Sequence, residues 1–349
     1  MATAAGEIYF IGEKDLRTKE FTQYFKVGIV RENPENADRD STRRLLEHQT
    51  GNPRELYVES VVKTELVELV ETLLHKKFAP LGVRGEWMKL EATELKEVKI
   101  AAQELAHEAK EIISDLQTAE ILSKTQSDEF TIPATDELVA LNEIYLESKA
   151  KLKASDEMFG VIRVVLLGAL EDEDEEEEVE AFVQVQERKG KSVFDEESFK
   201  NKYAEIYSSF VKPKSLTKGT PSYAGSRSFK KGFNEFDPIF AKMVETFEPL
   251  VQKIASGQKT KESLHAFSLE LHRATAEAEW SKMKAENKIK VACGTHAGIE
   301  GVIKWVRTEK VTEYLDKKAL NEAHPHLVAE FTSSGESTKA VIVDPKKGY

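Results

Sequence analysis

The chain has 349 residues, which is too long for a single small core and predicts two or three domains. Hydrophobic residues at 40% and charged residues at 32% are typical of a globular protein rich in helix, and no apolar run is long enough to span a membrane. One cysteine, Cys293, excludes an internal disulfide and a zinc cluster, and the N-terminal residues show no secretory pattern, so we expect a cytoplasmic protein.

The net charge of −12 argues against a surface that is uniformly positive for DNA. The acidic excess, however, lies outside the first 90 residues. That segment holds fourteen Lys and Arg against fifteen Asp and Glu, a net of −1, which leaves −11 for the rest of the chain. A local cationic surface in the N-terminal part is therefore compatible with the overall charge.

The first 90 residues alternate between β-rich runs and helical patterns. The β-rich runs are short and bounded by polar segments, whereas apolar residues recur with the 3.6-residue period in the helical segments. A polar stretch between the first two runs predicts a hairpin loop, and Asp40 or Ser41 is placed to cap the first helix. In chain order the pattern predicts strands at 7–11 and 24–30, a helix at 38–48, a turn at 50–53, a strand at 56–62 and a helix ending near residue 78.

Six short motifs accompany these elements in a fixed order. They are Ile8-Tyr9-Phe10, Tyr24-Phe25-Lys26-Val27-Gly28, Arg44, Thr50-Gly51-Asn52-Pro53, Glu71-x-x-x-His75 and Gly85-Glu86-Trp87. This order and spacing resembles the GIY-YIG nuclease superfamily, in particular its phage-type branch. The resemblance implies an α+β fold, a small antiparallel sheet flanked by helices, and metal-assisted hydrolysis of a DNA phosphodiester.

The resemblance also implies a division of the chemistry among side chains. Glu71 would be the single carboxylate ligand of Mg²⁺ or Mn²⁺, with water and phosphate oxygens as the other ligands. Arg44 would contact the scissile phosphate, and its neighbour Arg43 is the competing candidate. Tyr9 would orient or deprotonate the attacking water. His75, four residues after Glu71 on the same helix face, is either a proton donor near the metal ligand or half of an ordinary surface pair.

At Lys26 the chain departs from the founding members of the family, which have tyrosine there. Lys26 is a base, a phosphate ligand or a solvated strand residue. Tyr24 lies on the same face of the strand, so both side chains are able to reach the site, and Tyr24 is a candidate DNA contact. We expect Trp87 to be a core residue, Glu86 a buried hydrogen-bond partner, and Gly28 a position of close packing or of a bulge near the phosphate.

Beyond residue 90 the pattern is mainly helical and contains an internal repeat. Amphipathic patterns predict helices at 94–123 and 137–153. The spacing of Asp195, Phe199, Tyr203, Ile206 and Phe210 matches that of Asp316, Leu320, His324, Leu327 and Phe331 without a gap. We therefore predict a duplicated module of helices, a β-hairpin and a short helix opened by an aspartate cap. The predicted domains are 1–91, a first repeat at 92–210, a basic linker at 211–237 and a second repeat at 238–349.

The second repeat carries a further resemblance. Gly298-Ile299-Glu300-Gly301, Trp305, Asp316 and His324-Pro325-His326-Leu327 resemble the accessory C-terminal region of YqaJ-type viral recombinase proteins. The carboxylate pattern of that family's nuclease core is not seen in this sequence. The resemblance implies an accessory role for this part of the chain.

Two charged segments stand out, an acidic insert in the first repeat and a basic segment between the repeats. Residues 210–233 contain six basic residues and no acidic one, so the segment either follows a DNA backbone or is a solvated linker. Its candidate DNA contacts are Lys212, Lys214, Lys230 and Lys231. The acidic run Glu171 to Glu178 is either a hairpin tip or a mimic of DNA that occupies the nuclease cleft.

The sequence supports two main functions. The first is a metal-dependent DNA endonuclease in a phage, recombination or defence setting, whose repeats select substrate or partner. The second is a DNA-binding or assembly protein that keeps the nuclease fold without catalysis and binds partner proteins, or a second copy of the chain, through its repeats. Retention of Tyr9, Arg44 and Glu71 together favours the enzyme, because a carboxylate beside a polyanion has no use in a pure binder.

Overall fold

The N-terminal part of the computed structural model is a five-stranded antiparallel sheet with helices on both faces, as the sequence predicts. The structure describes residues 4–32, 40–170, 183–226, 238–256 and 261–343. The elements of this part are β1 (Gly6–Lys14), β2 (Phe21–Arg31), α1 (Ser41–Gln49), β3 (Glu55–Thr64), α2 (Val67–Lys77), a 3-10 turn (Ala79–Leu81), β4 (Gly82–Arg84) and β5 (Trp87–Lys89).

The sheet order is β3-β1-β2-β5-β4, and every neighbouring pair is antiparallel. β1 is therefore an interior strand between β3 and β2, and alternate side chains of this strand face opposite sides of the sheet. Ile8 and Phe10 pack with the apolar side of α2, whereas Tyr9 and Ile11 belong to a second cluster with Leu45 of α1. Each fully buried side chain of this size stabilises the fold by roughly 1.5–3 kcal/mol.

The start of α1 follows from local chemistry. The Asp40 carboxylate accepts a hydrogen bond of 2.9 Å from the backbone N–H of Arg43, so Asp40 is the N-cap. The helix that begins there presents Arg44 and His48 to the Tyr9 side of the sheet, because positions four apart share one face.

The chain continues as a long helical segment followed by short helices and paired strands. The second long helix, α4 (Asp136–Leu170), continues well beyond the end at 153 that the sequence predicts. The acidic run Glu171–Glu178 lies outside the described residues. The further elements are α3 (Ala92–Ser123), β6 (Thr131–Ile132), α4 (Asp136–Leu170), β7 (Val183–Arg188), β8 (Ser192–Phe194), α5 (Glu196–Lys202), α6 (Ala204–Phe210), β9 (Val211–Lys218), β10 (Ser222–Tyr223), α7 (Pro238–Ala255), α8 (Lys261–Cys293), β11 (Gly298–Ile299), β12 (Ile303–Lys304), β13 (Thr308–Leu315), α9 (Lys317–Ala323), α10 (Pro325–Glu330), β14 (Thr332–Ser334) and β15 (Thr338–Val343).

The two segments of the predicted repeat adopt similar local structure. Asp195 caps α5 by accepting from the backbone N–H of Ser198, and Asp316 caps α9 by accepting from that of Ala319, both at 3.0 Å. The backbone angles of the two caps are nearly the same, φ −76° and ψ 87° against φ −73° and ψ 81°. In each copy a second short helix and a strand follow, so the two segments share this local structure, and their origin by duplication stays a prediction.

The two copies exchange strands. β9 of the first copy pairs with β13 of the second, while β7 and β8 of the first pair with β15 and β14 of the second. Equivalent backbone bonds join them: Asp195 N–H donates to Phe331 at 2.8 Å, and Asp316 N–H donates to Phe210 at 2.9 Å. The copies are thus related by an approximate two-fold axis and form one folded unit.

The strand exchange corrects the predicted domain division. Residues 211–218 are a paired strand and 222–223 a second one, so this stretch is not the linker that its composition suggested. Phe199 and Leu320, which occupy equivalent positions in the two copies, are both fully buried in one shared cluster. Neither copy would bury its apolar residues without the other.

The helix α8 connects this unit to the N-terminal sheet. Its residues Ala276 and Trp280 are buried in the same cluster as Ile8 and Phe10 of β1. Its last residue, Cys293, is fully buried among apolar side chains. Among the described residues, no helix is both long enough and apolar enough to cross a membrane.

Candidate active site

Tyr9 is at the centre of the candidate site, on the sheet face that α1 covers. Its side chain is 1% exposed, and its hydroxyl lies 3.2 Å from Nε2 of His48. Gly28 is directly opposite Tyr9 on β2, where a Cβ would come within 2.4 Å of the Tyr9 hydroxyl. The expectation of close packing at Gly28 is confirmed, and the tyrosine is the group that requires it.

Arg44 reaches this site and Arg43 does not. The Arg44 guanidinium donates to the Glu47 carboxylate at 2.5 Å and also hydrogen-bonds to Tyr9. Arg43 is exposed on the outer side of α1. Of the two candidate phosphate ligands, the geometry favours Arg44.

The protonation of Tyr9 and His48 follows from their surroundings. Burial and the charge of Glu86 raise the pKa of the Tyr9 phenol, and the contacts with Arg44 oppose this rise without cancelling it. Burial lowers the pKa of His48, and the positive charges of Lys26 and Arg44 lower it further. At neutral pH the phenol is therefore protonated and the imidazole neutral, so Tyr9 is able to donate its hydrogen bond to His48.

Lys26 lies on the same face and is paired with Glu86. Its ammonium donates to the Glu86 carboxylate at 2.5 Å, and the two side chains are 12% and 36% exposed. Glu86 is thus a hydrogen-bond partner as expected, although it is only partly buried. Because the amine is engaged as a donor, this geometry favours a phosphate-binding role for Lys26 over that of a base.

A shallow cleft opens beside this pair. It has a volume of about 420 Å³, and Trp87, which also packs against the Tyr9 cluster, forms one wall. The predicted turn at 50–53 forms the opposite wall, where Gly51 has a φ of 86° that favours glycine. The cleft residues are Lys26, His48, Thr50, Gly51, Asn52, Pro53 and Trp87.

Glu71 and His75 come from α2. The Glu71 side chain is 12% exposed, and its charge is close enough to raise the pKa of Tyr9. His75 is 5% exposed, and its Nε2 donates to the backbone carbonyl of Val27 at 2.9 Å, with the Glu71 carboxylate at 3.5 Å. The burial of His75 favours a role in holding α2 against β2 over direct proton transfer. It also shows that Glu71 and His75 are not an exposed surface pair.

The residues present fit a divalent ion bound by one carboxylate. Mg²⁺ is commonly held by one or two carboxylates, with water and substrate phosphate as its other ligands, and Glu71 provides such a carboxylate next to Tyr9. In the described part of the chain, no three His, Cys, Asp or Glu side chains form a group that could hold a metal.

The remaining predicted contacts lie apart from the core of the site or outside the described residues. Tyr24 is half-buried two residues before Lys26 on β2. Lys212 and Lys214 are exposed on β9. Lys230 and Lys231 fall outside the described residues.

Sequence reasoning missed His48 and Glu47. The signal was available for both, since Glu47 and His48 lie three and four residues after Arg44 and thus near it on a helix. The motif order alone gave no reason to single them out.

Comparison with known proteins gives one match. Residues 6–103 match the family model of the T5orf172 domain, a phage-associated domain of the endonuclease kind, which supports a nuclease or DNA-binding role for this part of the chain. The match ends within α3, and the expected likeness of the C-terminal part to YqaJ-type proteins has no support from the comparisons. Searches of curated proteins and of solved structures returned no match.

Proposed function

We propose that the N-terminal domain is a metal-dependent DNA endonuclease of the GIY-YIG type. The observation that carries the proposal is the position of Tyr9, which hydrogen-bonds to His48 and Arg44 and lies within the electrostatic influence of Glu71. Three elements, β1, α1 and α2, bring these residues together from distant parts of the sequence. The domain match at residues 6–103 agrees with this chemistry.

Each residue has a specific task in the proposed reaction. Glu71 would hold Mg²⁺ or Mn²⁺, which when bound supplies a water of lowered pKa and neutralises charge on the phosphate. Arg44 contacts the phosphate and stabilises the charge that develops on its oxygens. The Tyr9 hydroxyl orients the attacking water, because its raised pKa makes it a poor base on its own.

His48 extends this arrangement by one step. Its lowered pKa leaves the imidazole neutral, so its Nε2 accepts the Tyr9 proton as the phenol oxygen takes a proton from the attacking water, and the net transfer is from that water to the imidazole. Lys26 binds a second phosphate at the cleft when Glu86 releases it. A phage-related recombination or defence setting, with partners bound through the C-terminal unit, is the biological context we infer.

The test is cleavage of supercoiled plasmid by the full-length protein in Mg²⁺, Mn²⁺ and EDTA. Glu71→Gln should reduce cleavage at least about 100-fold, a size usual for the loss of one group that stabilises the transition state. Glu68→Gln is the matched control, because Glu68 lies on the same helix and pairs with Arg31. Binding of Mn²⁺, followed by electron paramagnetic resonance with a short duplex present, should weaken only in Glu71→Gln.

Two results would overturn parts of this proposal. Normal cleavage by Glu71→Gln would remove Glu71 as the metal ligand. A wild-type protein that binds DNA but does not cut it in either metal would favour the alternative, a DNA-binding or assembly protein that keeps the nuclease fold.

A further inference from the structure

The ribbon formed by β9 and β13 separates its charges between its two faces. In the antiparallel register Tyr314 lies opposite Lys212, Thr312 opposite Lys214 and Thr308 opposite Lys218. Directly opposed residues point to the same face, and successive pairs alternate between faces. The side chains on each face can therefore be read from the register.

One face, which we call the lysine face, carries four lysines and no acidic residue. Its residues are Lys212, Lys214, Leu216, Lys218, Thr308, Lys310, Thr312 and Tyr314. The opposite face carries both acidic residues of the ribbon, Glu309 and Glu313. Such sorting gives the lysine face a strong local positive potential within a part of the chain whose net charge is acidic.

The lysine face is open to solvent. All four lysines are exposed, and the Tyr314 side chain is 43% exposed. Lys212 pairs with Asp316 at 2.7 Å, and Lys214 lies 5.9 Å from the centre of the Tyr314 ring. Within the part of the chain that the structure describes, Lys214, Lys218 and Lys310 form no ion pair with a carboxylate.

The internal duplication does not explain the lysines at the base of the ribbon. The residues of the second copy that are equivalent to Lys212 and Lys214 are Ser333 and Gly335. Both copies fold and exchange strands in the same way, so the positive charge at these positions is not needed for folding. It requires a separate reason.

We propose that the lysine face binds the backbone of duplex DNA. A two-stranded β-ribbon has the width to enter the major groove, and strands of 8 residues extend over about 27 Å. Lysine ammonium groups neutralise phosphates, and the hydroxyls of Thr308 and Thr312 are suitable donors to phosphate oxygens. The site lies on the C-terminal unit and is separate from the cleavage residues, so it does not require the proposed nuclease activity.

The sequence had singled out Lys212 and Lys214 as candidate DNA contacts. The register adds Lys218 from the same strand and, from a strand about a hundred residues later, Lys310 and Tyr314. The ribbon would hold a long duplex on the protein independently of the site on the N-terminal sheet. Its recognition would be independent of base sequence, since phosphate contacts carry no direct sequence information.

The test is fluorescence anisotropy of a labelled 40-base-pair duplex with full-length protein in EDTA, which excludes cleavage. A variant with Lys212, Lys214, Lys218 and Lys310 changed to Gln should bind at least about tenfold more weakly at moderate salt. The slope of log affinity against log salt should fall by about 0.9 for each lost phosphate contact. A second variant changes only Lys214, Lys218 and Lys310, so that the ion pair of Lys212 with Asp316 is kept and its loss cannot explain weaker binding. Circular dichroism of both variants checks that they fold.

The control removes the same charge elsewhere. Lys96 and Lys110 on α3, Lys124 directly after α3 and Lys153 on α4 are exposed, and their change to Gln should leave the affinity and the salt slope nearly unchanged. Equal loss in both sets would show a general charge effect and overturn the proposal. An unchanged slope in the ribbon variants, or a loss confined to single-stranded DNA, would also overturn it.

Discussion

The ring of Tyr9 lies directly over the backbone of Gly28, so that a Cβ at that position would be 2.4 Å from the hydroxyl oxygen and 2.6 Å from Cζ. Tyr9 itself is 1% exposed, so its ring is enclosed by the surrounding side chains. The glycine is therefore a condition for the position of the candidate catalytic tyrosine, and the two residues should behave as a coupled pair.

Gly28→Ala should destabilise the protein by about 1–3 kcal/mol, the usual cost of overpacking, and should also displace the Tyr9 hydroxyl from His48. Urea unfolding gives the free energy of unfolding. In a Tyr9→Leu background the same change should cost less, because the clashing atoms are absent. Gly160→Ala, in open space on α4, is the control and should stabilise slightly. Equal cost of Gly28→Ala in both backgrounds would refute the coupling.

Arg44 and Arg43 form a natural pair of variants, since only Arg44 contacts the site. Arg44→Lys should lower plasmid cleavage by about 100-fold or more, because the planar guanidinium is lost where transition-state charge develops. Arg43→Lys should leave the cleavage rate within a factor of about two, since Lys preserves the positive charge and Arg43 is exposed. If both variants cut equally well, the phosphate ligand has been misassigned.

Trp280 joins α8 to the core of the N-terminal sheet and donates from its indole N–H to Glu108 at 2.5 Å. Trp280→Ala should therefore lower the free energy of unfolding by about 3–5 kcal/mol, as large aromatic deletions in cores do. The measurement is urea unfolding followed by circular dichroism. Ile121→Ala, at an exposed position on α3, should change it by less than about 0.5 kcal/mol. A small effect at Trp280 would mean that α8 is only loosely attached.

The buried imidazole of His272 makes the helical part sensitive to acid. Burial lowers the pKa of His272 to about 4, with smaller contributions from Lys76 and Arg163. In the unfolded chain His272 is protonated below about pH 6.5, whereas in the folded chain it stays neutral until the pH approaches 4. The free energy of unfolding is therefore highest above pH 6.5 and decreases as the pH falls towards 4. His272→Leu should make the free energy of unfolding less dependent on pH between 6.5 and 4. The exposed control, His107→Asn, should keep the wild-type profile.

Much of the local structure follows from the sequence alone. The order of strands and helices in the first 90 residues, the Asp40 cap and the two aspartate caps of the repeat all depend on neighbours a few positions apart. The motif order likewise placed Tyr9, Arg44 and Glu71 on the elements that meet at the site. These features were predictable because side-chain periodicity and capping are determined by short-range contacts.

Only the tertiary structure decided which distant residues meet. The pairing of Lys26 with Glu86, the contact of His48 with Tyr9 and the exchange of strands between the copies join segments that are far apart in the chain. A run such as 211–218, polar and rich in lysine, has the composition of a linker until a partner strand satisfies its backbone hydrogen bonds. The composition of a segment indicates which environments its side chains suit, whereas long-range strand pairing determines which of its faces lies towards solvent, the core or a substrate.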